Sequence, residues 1–228
     1  MKLLKKEAKT VSVKDLASDE KIVEIYKPYH EKLRELNNVV IGQAENEMVP
    51  QGKKHGVAIA FAQDTGLSSF IHDVERHYSN ADVVSFSFDH QNARMDKGDI
   101  KKKDIIFNYR YAGGDVTVYE MTGKQLKQYM EWSADYFDTV QAGDVDYRYN
   151  AERKKSKYIT YDLFGGVKYK IDLRNEKGNK ITNLMLVNGT KITPEMKLKV
   201  GMNAYRFEQL ARKGGIFDGQ EILVLWAS

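Results

Sequence analysis

One segment constrains the fold of this chain more than any other, because between Asp115 and Phe137 a strand pattern runs straight into a helix pattern. The stretch "DVTVYEMT" alternates in the manner of a strand. Thr122 and Gln125 then have the spacing of a capping box, which marks the start of a helix. One side of that predicted helix carries Leu126, Tyr129, Met130, Ser133 and Phe137. The chain is therefore predicted to place a helix directly after a strand.

Two further helices are predicted from the spacing of apolar residues. The first follows Ser18-Asp19-Glu20, where a cap residue and acids favour a helix start, and Pro28 inside it is expected to kink or divide it. Its apolar positions are Ile22, Ile25, Tyr26, Tyr29, Leu33 and Leu36. The apolar positions of the second are Leu67, Phe70, Ile71, Val74 and Tyr78.

Six more segments are predicted as strands: "GVAIAFAQ", "ADVVSFSFD", "GGVKYKIDL", "ITNLMLVNGTKI", "MKLKVGMN" and "EILVLW". Residues 40–55 and the stretch "HQNARMDKGDIKKKD" are predicted to be irregular. Strands mixed with helices predict one α+β domain with a mixed sheet over residues 41–228. Residues 1–40 form a helical segment before it, interpreted as a linker.

Composition excludes several classes of protein. Apolar residues make up 42% of the 228 residues and charged residues 30%, as in a soluble globular domain, and no apolar run approaches the ~20 residues needed to insert into a membrane. The chain has no cysteine, which excludes disulfides and thiolate metal sites and leaves the cellular compartment open. A net charge of +4 tolerates an anionic ligand but argues against duplex nucleic acid as a partner.

No catalytic or metal-binding motif is present. The five histidines do not occur in a metal-ligand pattern, and His72 and His77 are predicted to be surface groups. The basic runs "KKKD" at Lys101 and "RKKSK" at Arg153 are predicted to be solvated loops, with phosphate binding as the alternative. Arg94 follows a predicted strand closely enough to reach a cleft, where its guanidinium would suit a carboxylate or phosphate.

Aromatic residues are concentrated at two strand–loop junctions. "FNYRY" places three rings before Gly113-Gly114, and Tyr205 follows Asn203 at the end of another predicted strand. Each ring alone is more often core or rim than ligand contact. Two rings that faced each other would hold a nucleobase between them, each stacking face contributing ~1–3 kcal/mol.

The order of several motifs resembles the C-terminal domain of the 5′-nucleotidase family, and within it the bacterial 2′,3′-cyclic-nucleotide 2′-phosphodiesterase/3′-nucleotidases. "MTGKQLKQYMEWS" and "FGGVKYKIDL" are the most specific of these motifs, and "NARMDKGDIKKKDIIFNYRYAGGDVTVYE" and "VGMNAYRF" agree in order. The resemblance extends from about Ser18 to the C-terminus. It implies a mixed-sheet α/β sandwich of that family's C-terminal type, preceded by the linker helix.

The resemblance also implies a division of labour between two domains. A metallophosphatase domain with two divalent metal ions would precede this chain in the same protein and supply every catalytic and metal-binding residue, so that this chain alone is expected to be inactive and to bind no metal or other cofactor. The chain itself would bind a nucleoside or nucleotide. Such enzymes are typically secreted, periplasmic or attached to the cell wall.

Matched by position, the two rings that clamp the base would be Tyr111 and Tyr205, with Tyr109 as the alternate for the first. Asn203 and Arg94 would join them in substrate binding. This chain has "DHQNAR" where the 5′-nucleotidase branch has a glycine-rich turn before the arginine, and Ile216 where that branch has an acid.

Two other functions agree with the residues alone. Interleaved arginines and tyrosines in "FNYRY" and in "YRY" (Tyr147 to Tyr149) would suit a non-catalytic module for single-stranded RNA or for carbohydrate. A stable scaffold whose pocket has decayed is the third interpretation, based on the altered segments before Arg94 and after Tyr205.

Overall fold

A computed structural model describes residues 6–88, 90–109, 116–141, 143–144, 146–155 and 161–227. The chain divides into two compact units, Met1–Val39 and Val40–Ser228. The first contains helix α1 (Glu20–Asn37), whose N-cap Asp19 accepts a hydrogen bond from the backbone N–H of Ile22 at 3.1 Å. Pro28 lies within this single helix, so the proline does not divide it.

The centre of the second unit is a five-stranded mixed sheet, which confirms the predicted α+β class. Its strands are β4 (Val83–Phe86), β6 (Val116–Thr122), β7 (Leu163–Gly165), β10 (Lys197–Asn203) and β11 (Leu223–Ala227). They lie in the order β11-β6-β10-β4-β7. β10 and β4 run parallel, with Val200 opposite Val83, and the other pairs are antiparallel.

Shorter strand pairs surround this sheet. β1 (Val40–Ala44) pairs with β5 (Gly98–Lys101), β2 (Lys53–Lys54) with β3 (Val57–Ala58), and β8 (Val167–Ile171) with β9 (Ile181–Leu186). The helices of this unit are α2 (Ile59–Ala62), α3 (Gly66–Ser79), α4 (Lys102–Asn108), α5 (Gly123–Ala134) and α6 (Ala204–Ala211), with a 3-10 turn over Ala151–Lys155.

Three local predictions are wrong. "GVAIAFAQ" forms a two-residue strand and then the turn of α2 instead of one strand, and the segments predicted as irregular contain β1, β2, β5 and α4. The "KKKD" run is the start of α4, where the Asp104 carboxylate accepts a hydrogen bond from the backbone N–H of Lys101 at 2.8 Å. Helix α5 begins with the predicted capping box of Thr122 and Gln125, which is confirmed.

Helices cover both faces of the sheet. On one face, α5 and α6 pack over alternate residues of the strands, and the core there includes Val83, Tyr119, Met121, Val200, Met202, Leu126, Met130 and Leu210. The opposite face carries Val84 and Val118, and α3 packs across β4 and β7 there. Gly201 is on this second face, where an added Cβ would lie 3.2 Å from Val84.

Helix α3 forms where apolar spacing predicts it, but only Leu67 and, in part, Ile71 of the predicted apolar face are buried. Phe70, Val74 and Tyr78 are exposed, whereas the polar His72 and Glu75 are only 6% and 8% exposed. The prediction that His72 is a surface group is therefore wrong, while His77 is exposed as predicted.

The reason is the close approach of α3 to β7. The position of a Cβ on Gly165 would be 2.4 Å from the His72 Cβ, so a side chain at Gly165 would displace the helix. The imidazole also meets the ring of Phe86 edge-on at 4.9 Å between centroids. Backbone proximity, which apolar spacing does not report, decides which side of α3 is buried.

No helix of the described residues combines the length and the apolar character that a membrane crossing needs.

Candidate functional site

A small cleft opens at the carboxyl ends of the two parallel strands. β4 ends at Phe86 and β10 ends at Asn203, and their parallel register brings these two ends to the same edge of the sheet. Ligands of open α/β sheets bind at such edges. The cleft encloses about 100 Å³ and is lined by Ser85, Phe86, Ser87, Phe88, Tyr109, Tyr129, Asp162, Asn203, Tyr205, Arg206 and Gln209.

The start of α6 presents one ring to this cleft. Asn203 is the N-cap residue, and its side-chain oxygen accepts a hydrogen bond from the backbone N–H of Tyr205 at 2.9 Å. Tyr205 is 55% exposed although it lines the cleft. A large ring held at a helix start and left open to solvent is suited to stacking against a flat ligand.

Tyr109 is a second tyrosine that lines the cleft, and it is half-buried. It follows α4 directly, and its backbone N–H donates to the carbonyl oxygen of Ile105 at 2.9 Å. Its ring lies 6.5 Å from that of Phe86, centroid to centroid. The structure therefore brings together the predicted site residues Tyr205, Asn203 and Tyr109. Tyr111, the predicted first clamp ring, lies outside the described residues.

Arg94 is not among the residues that line this cleft. Its guanidinium lies over the ring of Phe107, 4.8 Å from the centroid, in a separate depression of about 540 Å³. The backbone of Arg94 is fixed by Asn108, whose side chain accepts from the Arg94 N–H at 2.9 Å and donates to its carbonyl oxygen at 2.7 Å. That depression also holds Asp96, Lys97, Asp99, Lys101, Lys103 and Asp104, which mix both signs of charge.

Beneath the rings lies a buried polar network. The Arg206 guanidinium pairs with both carboxylate oxygens of Asp162, through Nε at 2.7 Å and Nη2 at 2.9 Å. The Tyr129 hydroxyl donates to the same carboxylate at 2.6 Å and lies 3.0 Å from the Ser85 hydroxyl. Burial and the neighbouring Asp162 raise the pKa of Tyr129 well above its usual value, so the phenol keeps its proton and remains a donor.

Sequence analysis did not assign these network residues to the site. Tyr129 and Arg206 lie within the motifs "MTGKQLKQYMEWS" and "VGMNAYRF", but motif order does not show that their side chains meet. Tyr129 was predicted as a core position of α5, and it is fully buried. Asp162 and Ser85 join the network only because β4, α5 and the segment before β7 meet here.

The cleft offers groups suited to holding a ligand. It offers an exposed ring, hydroxyls and an amide, and its one carboxylate is already paired with Arg206. Within the described ranges, no group of three His, Cys, Asp or Glu side chains is arranged to hold a metal ion. The residues described here therefore do not fit the dimetal centre of a phosphoesterase, and no metal-dependent step is assigned to them.

A larger groove of about 1050 Å³ lies between α5 and β9, lined in part by Lys124, Trp132 and Leu184. Of the predicted site residues that the structure describes, none lines it. We place the site in the smaller cleft, because there an exposed ring and polar groups lie at the ends of parallel strands.

Comparison with known proteins agrees with this fold. The family model described as "5′-nucleotidase, C-terminal domain" matches residues 40–212. No curated protein matches the sequence.

Several solved structures share the fold. A Staphylococcus aureus protein assigned as a 5′-nucleotidase, in complex with alpha-ketoglutarate, is similar with a TM-score of 0.67 and 21% identity over 90% of this chain. A 5′-nucleotidase precursor from Thermus thermophilus is similar with a TM-score of 0.60 and 14% identity over 89% of this chain. A sulfate thiohydrolase from the same organism, in complex with glycerol, is similar with a TM-score of 0.59 and 11% identity over 90% of this chain. This chain spans only 38%, 37% and 34% of the length of these three chains.

Proposed function

The chain belongs to the family of 5′-nucleotidase C-terminal domains, and we propose that it recognises the nucleoside part of a nucleotide whose phosphate is hydrolysed by a separate domain of the same protein. The base would stack on Tyr205 and on a second ring, supplied by Tyr111 or Tyr109. The fold alone does not select this substrate, since a sulfate thiohydrolase shares it. The argument therefore depends on the site.

One observation carries the proposal: Tyr205 is an exposed ring at the mouth of a cleft that also holds Tyr109 and the Asn203 amide. The cleft is smaller than the ~300–1,000 Å³ of a typical small-molecule site, so a purine would lie partly against the open face of Tyr205. Stacking of this kind contributes ~1–3 kcal/mol per base.

The separate domain would be a metallophosphatase. It would hold two divalent metal ions, which stabilise the attacking and leaving oxygens in phosphoester hydrolysis. This chain spans little more than a third of its structural neighbours, which leaves room for such a domain in a longer protein. We propose substrates among 2′,3′-cyclic, 3′- and 5′-nucleotides, and an exported parent enzyme. This chain alone would bind the nucleoside but hydrolyse nothing.

The test is a titration of the chain with adenosine and with 3′-AMP, followed by NMR chemical shifts. Tyr205→Ala is expected to weaken both ligands by about tenfold, consistent with the loss of one stacking face. Tyr111→Ala and Tyr109→Ala, compared in the same assay, identify the second ring. Tyr78→Ala is the matched control, because Tyr78 is a 76% exposed tyrosine on α3. Undiminished affinity in the Tyr205 variant would refute the proposal.

Within the ranges that the structure describes, no observation favours the alternative of an RNA or carbohydrate module. The two rings of "YRY" pack into an aromatic cluster instead of forming a stacking platform: Tyr149 lies 4.8 Å from Tyr136, and Tyr147 lies 5.9 Å from Phe137, between centroids. Arg153, predicted to be in a solvated loop, is buried over the ring of Trp132 at 4.3 Å.

A further inference from the structure

We propose that Arg206 is a positioning residue, which holds the ring of Tyr205 at the cleft through its buried pair with Asp162 and does not itself bind phosphate. The inference rests on the proposed function, since it assigns a role within the same nucleoside site. It concerns the arginine that directly follows Tyr205 in the sequence.

The pair is nearly closed to solvent. The side chain of Arg206 is 11% exposed and that of Asp162 is 2% exposed. Two nitrogens of the guanidinium meet two oxygens of the carboxylate, the forked geometry in which arginine pairs most strongly with a carboxylate. Another nitrogen, Nη1, donates to the Gln209 side chain. The positive charge is thus neutralised within the protein.

Asp162 is itself fixed on several sides. Its carboxylate accepts from the Tyr129 hydroxyl at 2.6 Å. The backbone N–H of Asp162 donates to the Ser133 hydroxyl at 2.8 Å, and the Ser133 hydroxyl donates to the carbonyl oxygen of Asp162 at 2.8 Å. Because Tyr129 and Ser133 both belong to α5, the anchor of Arg206 is attached to the main helix of the fold.

Arg206 transmits this attachment to α6. Tyr205 and Arg206 are consecutive residues in the first turn of a helix that Asn203 caps. The cap fixes the backbone at the start of α6, and the Arg206 pair fixes the side of the helix that faces the core. Tyr205 is 55% exposed, so the position of its ring depends in large part on these two neighbours.

The charge balance gives the inference a distinctive consequence. If Arg206 binds phosphate, replacing it weakens the affinity of the protein for 3′-AMP but not for adenosine, which carries no phosphate. If Arg206 is a positioning residue, replacing it weakens the affinity for both ligands by the same factor. In that case replacing Arg206 causes no further loss once the ring of Tyr205 has been removed, because its effect is exerted through that ring.

The experiment measures adenosine and 3′-AMP affinities of the full chain at a temperature below the unfolding midpoint of every variant. Arg206→Met keeps the aliphatic stem and removes the pair, and is expected to weaken both ligands by about tenfold, similar to the loss in Tyr205→Ala. Adding Arg206→Met to Tyr205→Ala is expected to cause less than about a twofold further loss. If the methionine variant does not fold, Arg206→Lys replaces it, alone and combined with Tyr205→Ala. Lysine retains the charge without the forked pair, and the single variant is expected to lose about threefold in affinity for both ligands.

Arg153→Met is the matched control. Arg153 is likewise buried, and its guanidinium also lies over Trp132, but it belongs to the 3-10 turn and not to α6. Its loss is expected to change adenosine affinity by less than about twofold, because Arg153 is not part of the helix that carries Tyr205.

Four outcomes separate the claims. A loss confined to 3′-AMP, an unchanged adenosine affinity in the Arg206 variants, or equal losses in the Arg206 and Arg153 variants would each overturn the positioning role. In those cases a weakened Tyr205→Ala variant leaves the proposed function intact. Absence of saturable adenosine binding by the unchanged chain would overturn both.

Discussion

The two faces of the central sheet bury polar side chains in opposite ways. On the α5 face, Asp162, Arg206 and Tyr129 form a network in which the charges are paired and the hydroxyl donates. On the α3 face, His72 Nε2 and Glu75 Oε2 are buried without a hydrogen-bond partner among the described residues. The paired network adjoins the proposed site, whereas the two groups without a partner are on the buried side of α3.

The difference separates two uses of buried polar groups. A satisfied network holds one geometry and stays charged, which suits a site that must present a ring. Unsatisfied groups become neutral instead: burial lowers the pKa of His72 to about 4 and raises the pKa of Glu75 to about 8. The α3 face should therefore respond to pH, whereas the paired network should respond mainly to the removal of a partner.

The largest effect is expected from breaking the network. Asp162→Asn removes the negative charge and leaves the Arg206 guanidinium buried without its counter-ion, which costs about 3–5 kcal/mol of the free energy of unfolding. Urea denaturation followed by circular dichroism measures this loss. Asp172→Asn is the control, because it breaks an ion pair with Arg174 that lies at the surface and is expected to contribute far less. Equal losses in both variants would contradict the view that burial makes the network important.

The next effect tests the packing that buries His72. Gly165→Ala would place a methyl group only 2.4 Å from the His72 Cβ. This clash is expected to cost about 1–3 kcal/mol of the free energy of unfolding. The measurement is again the free energy of unfolding. Gly42→Ala is a suitable control, since a Cβ at Gly42 has no atom within 4 Å. If both substitutions are tolerated equally, α3 is not held against β7 as closely as described.

The pH response of the α3 face follows from the two shifted pKa values. Between pH 4.5 and 8 the folded state retains the Glu75 proton and the unfolded state loses it, so stability falls as pH rises. Between pH 6.5 and 4 the unfolded state binds a proton that folded His72 refuses, so stability falls as pH drops. The two slopes oppose each other from pH 4.5 to 6.5, and above 6.5 only the Glu75 slope remains.

Glu75→Gln therefore removes a slope of up to about 1.4 kcal/mol per pH unit between pH 6.5 and 8. Denaturation curves of the variant and the unchanged chain, collected across this range, should converge toward low pH and diverge toward pH 8. Glu195→Gln serves as the control because Glu195 is exposed, and it should leave the slope as it was. Parallel curves for Glu75→Gln would show that its carboxyl is not held neutral.

The smallest effect separates two roles of Asn203. Asn203→Ala removes the α6 cap and is expected to cost about 1 kcal/mol, whereas Asn203→Asp keeps an oxygen that accepts from the Tyr205 N–H and should retain stability. If the Asn203 amide also donates to a ligand, both variants weaken adenosine binding. Calorimetric unfolding and adenosine titration of the pair measure the two roles independently. Full adenosine affinity in the aspartate variant would leave Asn203 with the capping role alone.

The sequence predicted the elements whose signals are local. The strand-to-helix segment through Thr122 and Gln125 was correct because capping and side-chain alternation act within a few residues. α4 was missed, because "KKKDIIFN" is short and its cap depends on Asp104 reaching back to the Lys101 N–H. α2 was predicted as a strand, because a short apolar run has no period that distinguishes the two.

The structure brings some of the predicted site residues together and not others. Tyr205, Asn203 and Tyr109 do lie in one cleft, whereas Arg94 lies elsewhere, held by Asn108 and stacked on Phe107. The motif order that suggested these residues specifies where along the chain a ring or charge occurs. It does not specify which way the segment from β4 to β6 turns.

What the amino-acid sequence determined by itself is the α+β class, the family and the positions of the rings, because periodicity, caps and motif order are properties of neighbouring residues. Only the tertiary structure decided that Arg206 meets Asp162 and that His72 and Glu75 are buried. These environments arise where segments far apart in the chain approach within a few ångströms. Desolvation and hydrogen bonding, which set the charge and the role of each group, act over that distance in space and not along the sequence.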